Sequence, residues 1–343
     1  MTVAAGRGPA GAGPPAVTAA IDIGSNSVLL LAVRVAVGGR ARVRARVPAR
    51  VPARVIDEAV ETTRLGTGLA AGGRLDPAAR TRTAETVVRL AARARAVGAE
   101  RTWAFATGAV RDAADGQSFA REVEETAGVP VEVLSGDEEA RLGYAALAHA
   151  FGGDQPLLAV DVGGRTTELT LGTGEAPGST TSVLLGVVAL TESIGHDRAL
   201  DPADRARLTD AIDAVLARTQ VLAEARRVGA RPIVSGGSAT AIASLDLGLS
   251  AYAPGRVHGH RLSPATLDRV AGSLAAMPTG ARAELPGLEP GRGEVVLAGA
   301  LVLARLAAAL GDALTISAHG VRHGFLRARL RAAGVPADFR DLW

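Results

Sequence analysis

The fold is decided by two segments that align without a gap, AIDIGSNSVLLLAV at residues 20–33 and AVDVGGRTTELTLG at residues 159–172. Each segment begins as an apolar strand with one aspartate, turns through glycine and continues as a second strand, which predicts two β-hairpins. The aligned positions pair Asp22 with Asp161, Gly24 with Gly163, Asn26 with Arg165, and Ser27 with Thr166. An internal repeat with one copy in each half predicts two related α/β halves.

Length and composition support the same division. The chain has 343 residues, of which 48% are hydrophobic and 21% charged, as expected for a globular protein with more than one domain. We expect one domain over residues 17–150 and a second over residues 151–343, with a C-terminal helix able to pack back on the first. Residues 1–16 contain no apolar signal-peptide region and predict a disordered tail.

Charge and cysteine content exclude several classes. Every basic residue is arginine, so the pI of about 10.3 reflects the high pKa of arginine, while the net charge is only +3. The sequence has no cysteine, which excludes disulfides, thiolate metal sites and a cysteine nucleophile, and fits a reducing cytoplasm. The longest apolar run, residues 295–310, contains Arg305 and is too short to span a bilayer. We expect a cytoplasmic protein with neither a membrane nor a nucleic-acid partner.

Both hairpin turns have the chemistry of anion-binding loops. Successive N–H groups of small residues can approach a phosphate closely, and Asp22 can hold a divalent cation beside it. Either hairpin alone also fits an ordinary β-turn capped by an aspartate, but the repetition favours a binding site. The turn residues are Gly24, Ser25, Asn26 and Ser27 in the first copy, and Gly163, Gly164, Arg165 and Thr166 in the second.

The segment SGDEEARL at residues 135–142 predicts a helix start with Asp137 as N-cap and two glutamates in the first turn. Glu138 and Glu139 could serve only to complement the helix dipole, or one of them could point into a cleft and activate water. The spacing does not choose between these interpretations.

Two other segments could bind anions. ATGAVRDA at residues 106–113 places Thr107 and Arg111 at the start of a helix, where the arginine either grips an anion or is solvated. SGGSAT at residues 235–240 predicts a turn before a helix, suited to an anion or a nucleoside through Gly236, Gly237 and Ser238.

Local signals predict further elements. Helices are expected after Asp76, Asp201 and Ser263, each followed by proline at the first helical position. Two VPAR copies at residues 47–54 contain prolines that limit them to an edge strand or loop. The preceding arginines share one face of a predicted strand that either tracks a polyanion or is solvated: Arg40, Arg42, Arg44 and Arg46.

Six segments together resemble the exopolyphosphatase/guanosine pentaphosphate phosphatase family over about residues 17–330. They are AAIDIGSNSVLLLAV, TRLGTGLAAGGRL, AFATGAVRDA, VEVLSGDEEARL, VDVGGRTTELTLG and GRGEVVLAGALVLARL. The resemblance implies an α/β fold with two ribonuclease-H-like domains of the actin/sugar-kinase superfamily facing across a cleft.

The resemblance also implies a chemistry. Glu139 matches the catalytic residue that activates water, Arg111 matches a phosphate-binding arginine, and Asp161 and Glu168 match positions that hold Mg²⁺ (or Mn²⁺), with Asp22 nearby. The implied reaction is direct attack of water on the terminal phosphoanhydride of inorganic polyphosphate or guanosine pentaphosphate. Proteins similar to this one are commonly dimers. A binding protein that senses these compounds and an ATP-dependent kinase remain as alternatives.

The sequence departs from the family pattern in two places. Arg165 replaces a glycine of the second loop, where it either adds a phosphate-binding cation or blocks the site. Ala318 and His323 replace an aspartate and a glutamate near the C-terminus. His319 and His323 are four residues apart and could ligate a metal on a helix, or His323 could be a local substitution with no ligand role.

Overall fold

The computed structural model of the chain describes residues 17–36, 51–69, 73–194 and 198–343. The predicted tail at residues 1–16 and the alternating arginines at residues 40–46 lie outside the described residues. The strands are β1 (Val17–Ile23), β2 (Ser27–Val35), β3 (Val51–Thr62), β4 (Arg101–Ala106), β5 (Val131–Val133), β6 (Leu157–Val162), β7 (Thr167–Thr173), β8 (Ala176–Val183), β9 (Arg231–Ser235), β10 (Arg261–Leu262), β11 (Leu314–Ile316) and β12 (Ala337–Asp338).

The helices lie between these strands singly or in runs of two or three, and they include those predicted after Asp76, Asp201 and Ser263. They are α1 (Pro77–Ala96), α2 (Gly108–Asp112), α3 (Gly116–Ala127), α4 (Gly136–Phe151), α5 (Val187–Ile194), α6 (Pro202–Leu216), α7 (Gln220–Arg227), α8 (Gly237–Asp246), α9 (Pro254–Val257), α10 (Pro264–Ala275), α11 (Thr279–Ala283), α12 (Arg292–Leu310) and α13 (Val321–Ala332).

The described strands form two six-stranded sheets with related topology. The first has the order β12-β3-β2-β1-β4-β5 and the second β10-β11-β9-β6-β7-β8. In each sheet an antiparallel hairpin, β1–β2 or β6–β7, is extended by an antiparallel strand on one side and by parallel strands on the other. The repeat seen in the sequence is therefore a repeat of topology, and the predicted α/β class is confirmed.

Two helices lie between the sheets, and each covers the sheet of the other half. Helix α4 follows the first sheet in sequence, but its Tyr144 and Leu147 pack with Leu157 of the second sheet. Helix α13 comes last, but its Phe325 packs with Leu31 of the first sheet. The C-terminal segment thus lies on the first sheet and adds β12 to it through pairing with β3.

Glycines allow the close approach of α4 and α13. A Cβ at Gly324 would collide with the carbonyl of Leu142, so the two helix backbones meet where there is no side chain. The remaining core of each half is aliphatic apart from Phe119 in the first, as the low aromatic content predicts.

Capping residues account for most helix starts, with one correction. Asp76, Asp201 and Ser263 each accept a hydrogen bond from the N–H three residues on, as predicted. The cap of α4 is Ser135 and not Asp137, because Ser135 forms a capping box with Glu138.

Two other expectations are refined by the structure. Pro52 lies at the start of β3, where β12 flanks it only at Val51 and Pro52, so most of β3 borders no further strand within the described residues. Helix α12 is long and apolar enough to cross a membrane, but 72% of its most apolar 18 residues are buried inside the protein. Core helices of soluble proteins share this property.

Candidate active site

One cleft between the two halves collects nearly all the residues that the sequence predicts to be functional. Both hairpin turns line it, together with the first turn of α4 and the glycine turn before α8. The predicted residues on its wall are Asp22, Gly24, Ser25, Asn26, Ser27, Thr107, Glu139, Asp161, Gly163, Gly164, Arg165, Thr166, Glu168, Gly236, Gly237 and Ser238. Arg111 lies directly behind this wall, bound to Glu139.

The two hairpin turns close in the same way. The N–H of Gly24 donates to the carbonyl of Ser27 at 3.0 Å, and that of Gly163 donates to the carbonyl of Thr166 at 2.9 Å. Within the described residues, no backbone acceptor bonds the N–H groups of Ser25, Asn26, Gly164 and Arg165. Paired free N–H groups of this kind form an anion-binding concavity.

The turns also touch each other across the cleft. A Cβ at Gly164 would lie only 3.1 Å from the Cβ of Ser25, so glycine at this position permits the close approach without displacing Ser25. Ser25 is fixed in turn, because its Oγ accepts a hydrogen bond from the N–H of Ala109 at 3.1 Å. The two loops therefore form one continuous surface at the base of the cleft.

Arg165 does not adopt a left-handed backbone, and neither does Asn26. The strain that arginine would bring to a left-handed position therefore does not arise. The side chain of Arg165 leaves the second half and its Nε donates to Asp112 of the first half at 3.3 Å.

The capping box decides which glutamate faces the cleft. Glu138 accepts hydrogen bonds from both the N–H and the hydroxyl of Ser135, so its carboxylate closes the helix start. Glu139 instead lies on the cleft wall, and its Oε2 accepts from Nη1 of Arg111 at 2.6 Å. Spacing alone could not make this distinction.

The environment of Glu139 makes it a stronger base than an ordinary glutamate. Burial raises its pKa to about 8, with the negative charge of Glu168 adding to the rise and the ion pair with Arg111 opposing it. A carboxyl group whose pKa lies near neutrality is suited to accept a proton from water.

Arg111 occupies the last turn of a five-residue helix. The predicted helix start at Thr107 is therefore confirmed, but a helix this short has little dipole to act on Arg111. Its position is explained by its partners: it donates to Glu139 and also contacts the carbonyl of Leu134 at 3.4 Å.

The pairing of β6 with β7 brings a second pair of carboxylates together. Asp161 and Glu168 face each other on adjacent strands of the second hairpin, whereas Asp22 faces Leu29 in the first. Burial raises the pKa of Asp161 to about 6 and that of Asp22 to about 7, and it also raises the pKa of Glu168. A cation bound beside buried carboxylates stabilises their charged form and lowers their pKa values.

These carboxylates fit Mg²⁺ or Mn²⁺ in ligand type. Within the described residues, no three acidic or histidine side chains converge closely enough to form a complete metal cage. Mg²⁺ seldom uses such a cage, because it keeps several waters and needs only one or two carboxylates plus substrate phosphates. Ser235 and Ser182 orient the two acids by donating to Asp161 at 3.1 Å and to Glu168 at 2.9 Å.

Comparisons with known proteins identify the family of this chain. A sequence profile described as the Ppx/GppA phosphatase family matches residues 45–332. The chain is 32% identical over 319 residues to exopolyphosphatase 2 of Mycobacterium tuberculosis, an alignment that covers 89% of this chain and 96% of the relative. The chain belongs to the Ppx/GppA phosphatase family.

Solved structures share the fold over nearly the whole chain. The Ppx/GppA family member of Aquifex aeolicus is 25% identical with a TM-score of 0.72, covering 93% of this chain and 99% of that one. An exopolyphosphatase of Cytophaga hutchinsonii has a TM-score of 0.78 at 20% identity, covering 92% and 98%, and shows the fold alone.

Sequence reasoning missed two arginines of this Ppx/GppA protein. Arg292 is almost fully buried at the start of α12, and its guanidinium lies over Gly237, where a Cβ would collide with it. Arg322 is ion-paired with Glu58 and lowers the pKa of Asp22 against the effect of burial. Both line the cleft. The available signal was an arginine within the first two residues of each helix, at the start of the apolar α12 and of the arginine-rich α13.

The anion loop at Gly236 is placed as predicted, with one exception. Gly236 has a φ of 103°, which only glycine adopts readily, and the turn lines the cleft. The hydroxyl of Ser238, however, lies against Gly299 of α12 and has no hydrogen-bond partner within the described residues.

The two histidines near the C-terminus do not share a helix. His319 precedes α13, and its ring stacks on that of His323 with centroids 4.6 Å apart and planes 14° apart. Parallel rings cannot direct their nitrogens at one ion, so the metal-ligand interpretation of this pair is not supported by the geometry. Burial lowers the pKa of both histidines well below the usual value, which keeps them neutral. Ala318 places no carboxylate in the cleft.

Proposed function

We propose that this protein releases terminal phosphate from inorganic polyphosphate by direct attack of water. The observation that carries the proposal is the position of Glu139: a basic carboxylate bound to Arg111, on the wall of a cleft whose floor is two anion-binding turns. The 32% identity with an exopolyphosphatase favours polyphosphate as the substrate. Guanosine pentaphosphate offers the same terminal phosphoanhydride and is the second candidate substrate.

The residues of the cleft have separate roles in the proposed reaction. Glu139 accepts a proton from the attacking water, and Arg111 orients its carboxylate through the 2.6 Å contact. The free N–H groups of the two turns bind the oxygens of the phosphoryl group and stabilise the charge that spreads over them in the transition state. Water attacks directly, so no covalent intermediate forms on the protein.

Asp161 and Glu168, with Asp22 beside them, would hold a Mg²⁺ or Mn²⁺ ion. When bound, such an ion neutralises phosphate charge and aligns the substrate. The carboxylates themselves need this charge partner, because burial raises the pKa of each of them.

The test is a phosphate-release assay with polyphosphate and guanosine pentaphosphate side by side, in Mg²⁺ and in Mn²⁺. We expect release from at least one substrate and loss of nearly all turnover in Glu139→Gln. Full turnover in that variant would refute the role of Glu139. Tight binding measured by calorimetry, with no phosphate released from either substrate, would identify a sensor instead of an enzyme.

A further inference from the structure

Arg165 is the one side chain at the tip of the second hairpin turn that crosses the cleft. Its Nε donates to Oδ2 of Asp112 in the first half, and four fifths of its side chain is buried. Its counterpart at the tip of the first turn, Asn26, donates instead to the hydroxyl of neighbouring Ser27. The second turn thus supplies a cation that the first does not.

Asp112 lies between two arginines. Its Oδ1 is 3.5 Å from Nε of Arg111, and its Oδ2 accepts from Arg165. Both guanidinium-bearing chains flank Gly108, where a Cβ would lie 3.7 Å from Nη2 of Arg111 and 3.9 Å from Cδ of Arg165. The contacts therefore run from Glu139 through Arg111 and Asp112 to Arg165, with Glu139 and Arg165 on the cleft wall.

Most of the hydrogen-bonding capacity of Arg165 is unused. A guanidinium carries five N–H donors, and within the described residues only Nε of Arg165 has an acceptor. The side chain of Asp112 is 38% exposed, and an ion pair with such a partner stabilises little. An anion with several oxygens can offer both terminal nitrogens a bidentate contact that Asp112 does not.

We propose that Arg165 binds the phosphoryl group next to the one held beside Arg111 and Glu139, and that Asp112 keeps the guanidinium across the cleft until substrate arrives. This assignment rests on the proposed function and narrows it. The ligand is an anion with at least two linked phosphoryl groups, because Arg111 and Asp112 separate Arg165 from Glu139 in the chain of contacts. We expect a single orthophosphate to bind at the Arg111 end and to depend little on Arg165.

The experiment compares two probes, tripolyphosphate and orthophosphate, by calorimetry in Glu139→Gln protein with Mg²⁺. Adding Arg165→Gly should weaken tripolyphosphate binding about 10- to 100-fold, the range for one charge-assisted hydrogen bond, and leave orthophosphate binding nearly unchanged. Arg165→Lys should recover part of the loss, because it restores the charge without the bidentate geometry. In protein with Glu139 intact, Arg165→Gly should raise KM for polyphosphate far more than it lowers kcat.

Asp112→Asn provides the matched variant. It removes the carboxylate that competes with substrate for Arg165, so it should tighten tripolyphosphate binding several-fold. Most of this gain should vanish in the double variant Asp112→Asn/Arg165→Gly. An equal loss of affinity for tripolyphosphate and orthophosphate in Arg165→Gly would show a structural role and overturn the proposal. Tighter tripolyphosphate binding in that variant would also overturn it, because it would show that Arg165 blocks the site. If Arg165→Gly leaves tripolyphosphate affinity unchanged, the role of Arg165 is refuted but the proposed function is not. Absence of binding by either probe, with no phosphate release by the unmodified protein, refutes the proposed function and this assignment with it.

Discussion

Replacing Glu139, which we propose activates water, should make the protein more stable at alkaline pH while abolishing turnover. In Glu139→Gln the buried carboxyl becomes a neutral amide of nearly the same shape. The pKa of Glu139 rises from 4.5 to about 8 on folding, chiefly because of burial. The folded state therefore keeps a proton that the unfolded chain releases between these two pH values. Wild-type stability consequently falls as pH rises through that window.

The size of the effect follows from the shift. Each pH unit inside the window costs about 1.4 kcal/mol, so from pH 5 to pH 8 the contribution of Glu139 falls by about 4 kcal/mol as an upper bound. The side chain is only 13% exposed, so solvent screening does not remove this contribution. Glu139→Gln lacks the group and should match wild type near pH 5 but exceed it by about 2 to 4 kcal/mol at pH 8.

The assay is urea unfolding followed by far-ultraviolet circular dichroism at pH 5, 6, 7 and 8, in EDTA. Glu138→Gln is the matched control, because hydrogen bonds from the Ser135 cap lower the pKa of Glu138 and reverse the sign. That variant should be less stable than wild type at pH 7, and the difference should shrink as pH falls through the usual glutamate range. It should also retain most turnover. Parallel pH profiles for wild type and Glu139→Gln would refute the reasoning.

Three further outcomes follow from the packing. Gly164→Ala should separate the two hairpin turns and lower kcat/KM at least 10-fold, which is roughly the effect of misplacing reacting groups. The control is Gly136→Ala, where a Cβ meets nothing within 4 Å, and it should leave kcat/KM within about 2-fold. Equal effects of the two variants in steady-state assays would contradict the contact between the turns. Gly172→Ala places a Cβ 2.6 Å from the ring of Tyr144 and should lower the free energy of unfolding by about 1–3 kcal/mol, as measured by urea titration; unchanged stability would show that α4 can shift freely. The lowered pKa of His323 means that wild-type stability is lost as pH falls below about 6.5, so His323→Asn should lose less stability between pH 6.5 and 5, by about 2 kcal/mol at most; identical losses in the two proteins would show that this histidine does not stay neutral.

Local sequence signals predicted much of the architecture. The alternation of strands and helices, the caps at Asp76 and Asp201, and the repeated hairpins all depend on residues close together in the chain. Such patterns act through backbone preference and periodicity, so they can be read without knowing the fold. The same patterns failed at Asp137, because a capping box at Ser135 competes for the helix start.

The sequence by itself determined two related α/β halves, each with an aspartate and a glycine-containing hairpin turn, and the family to which the chain belongs. Only the tertiary structure decided that Glu139 faces the cleft, that Arg165 reaches Asp112, and that α4 and α13 each cover the sheet of the other half. The physical reason is distance along the chain. A turn or a cap is fixed by neighbours a few residues away, whereas the partner of a long side chain and the face that a helix buries depend on which distant segments the fold brings beside them.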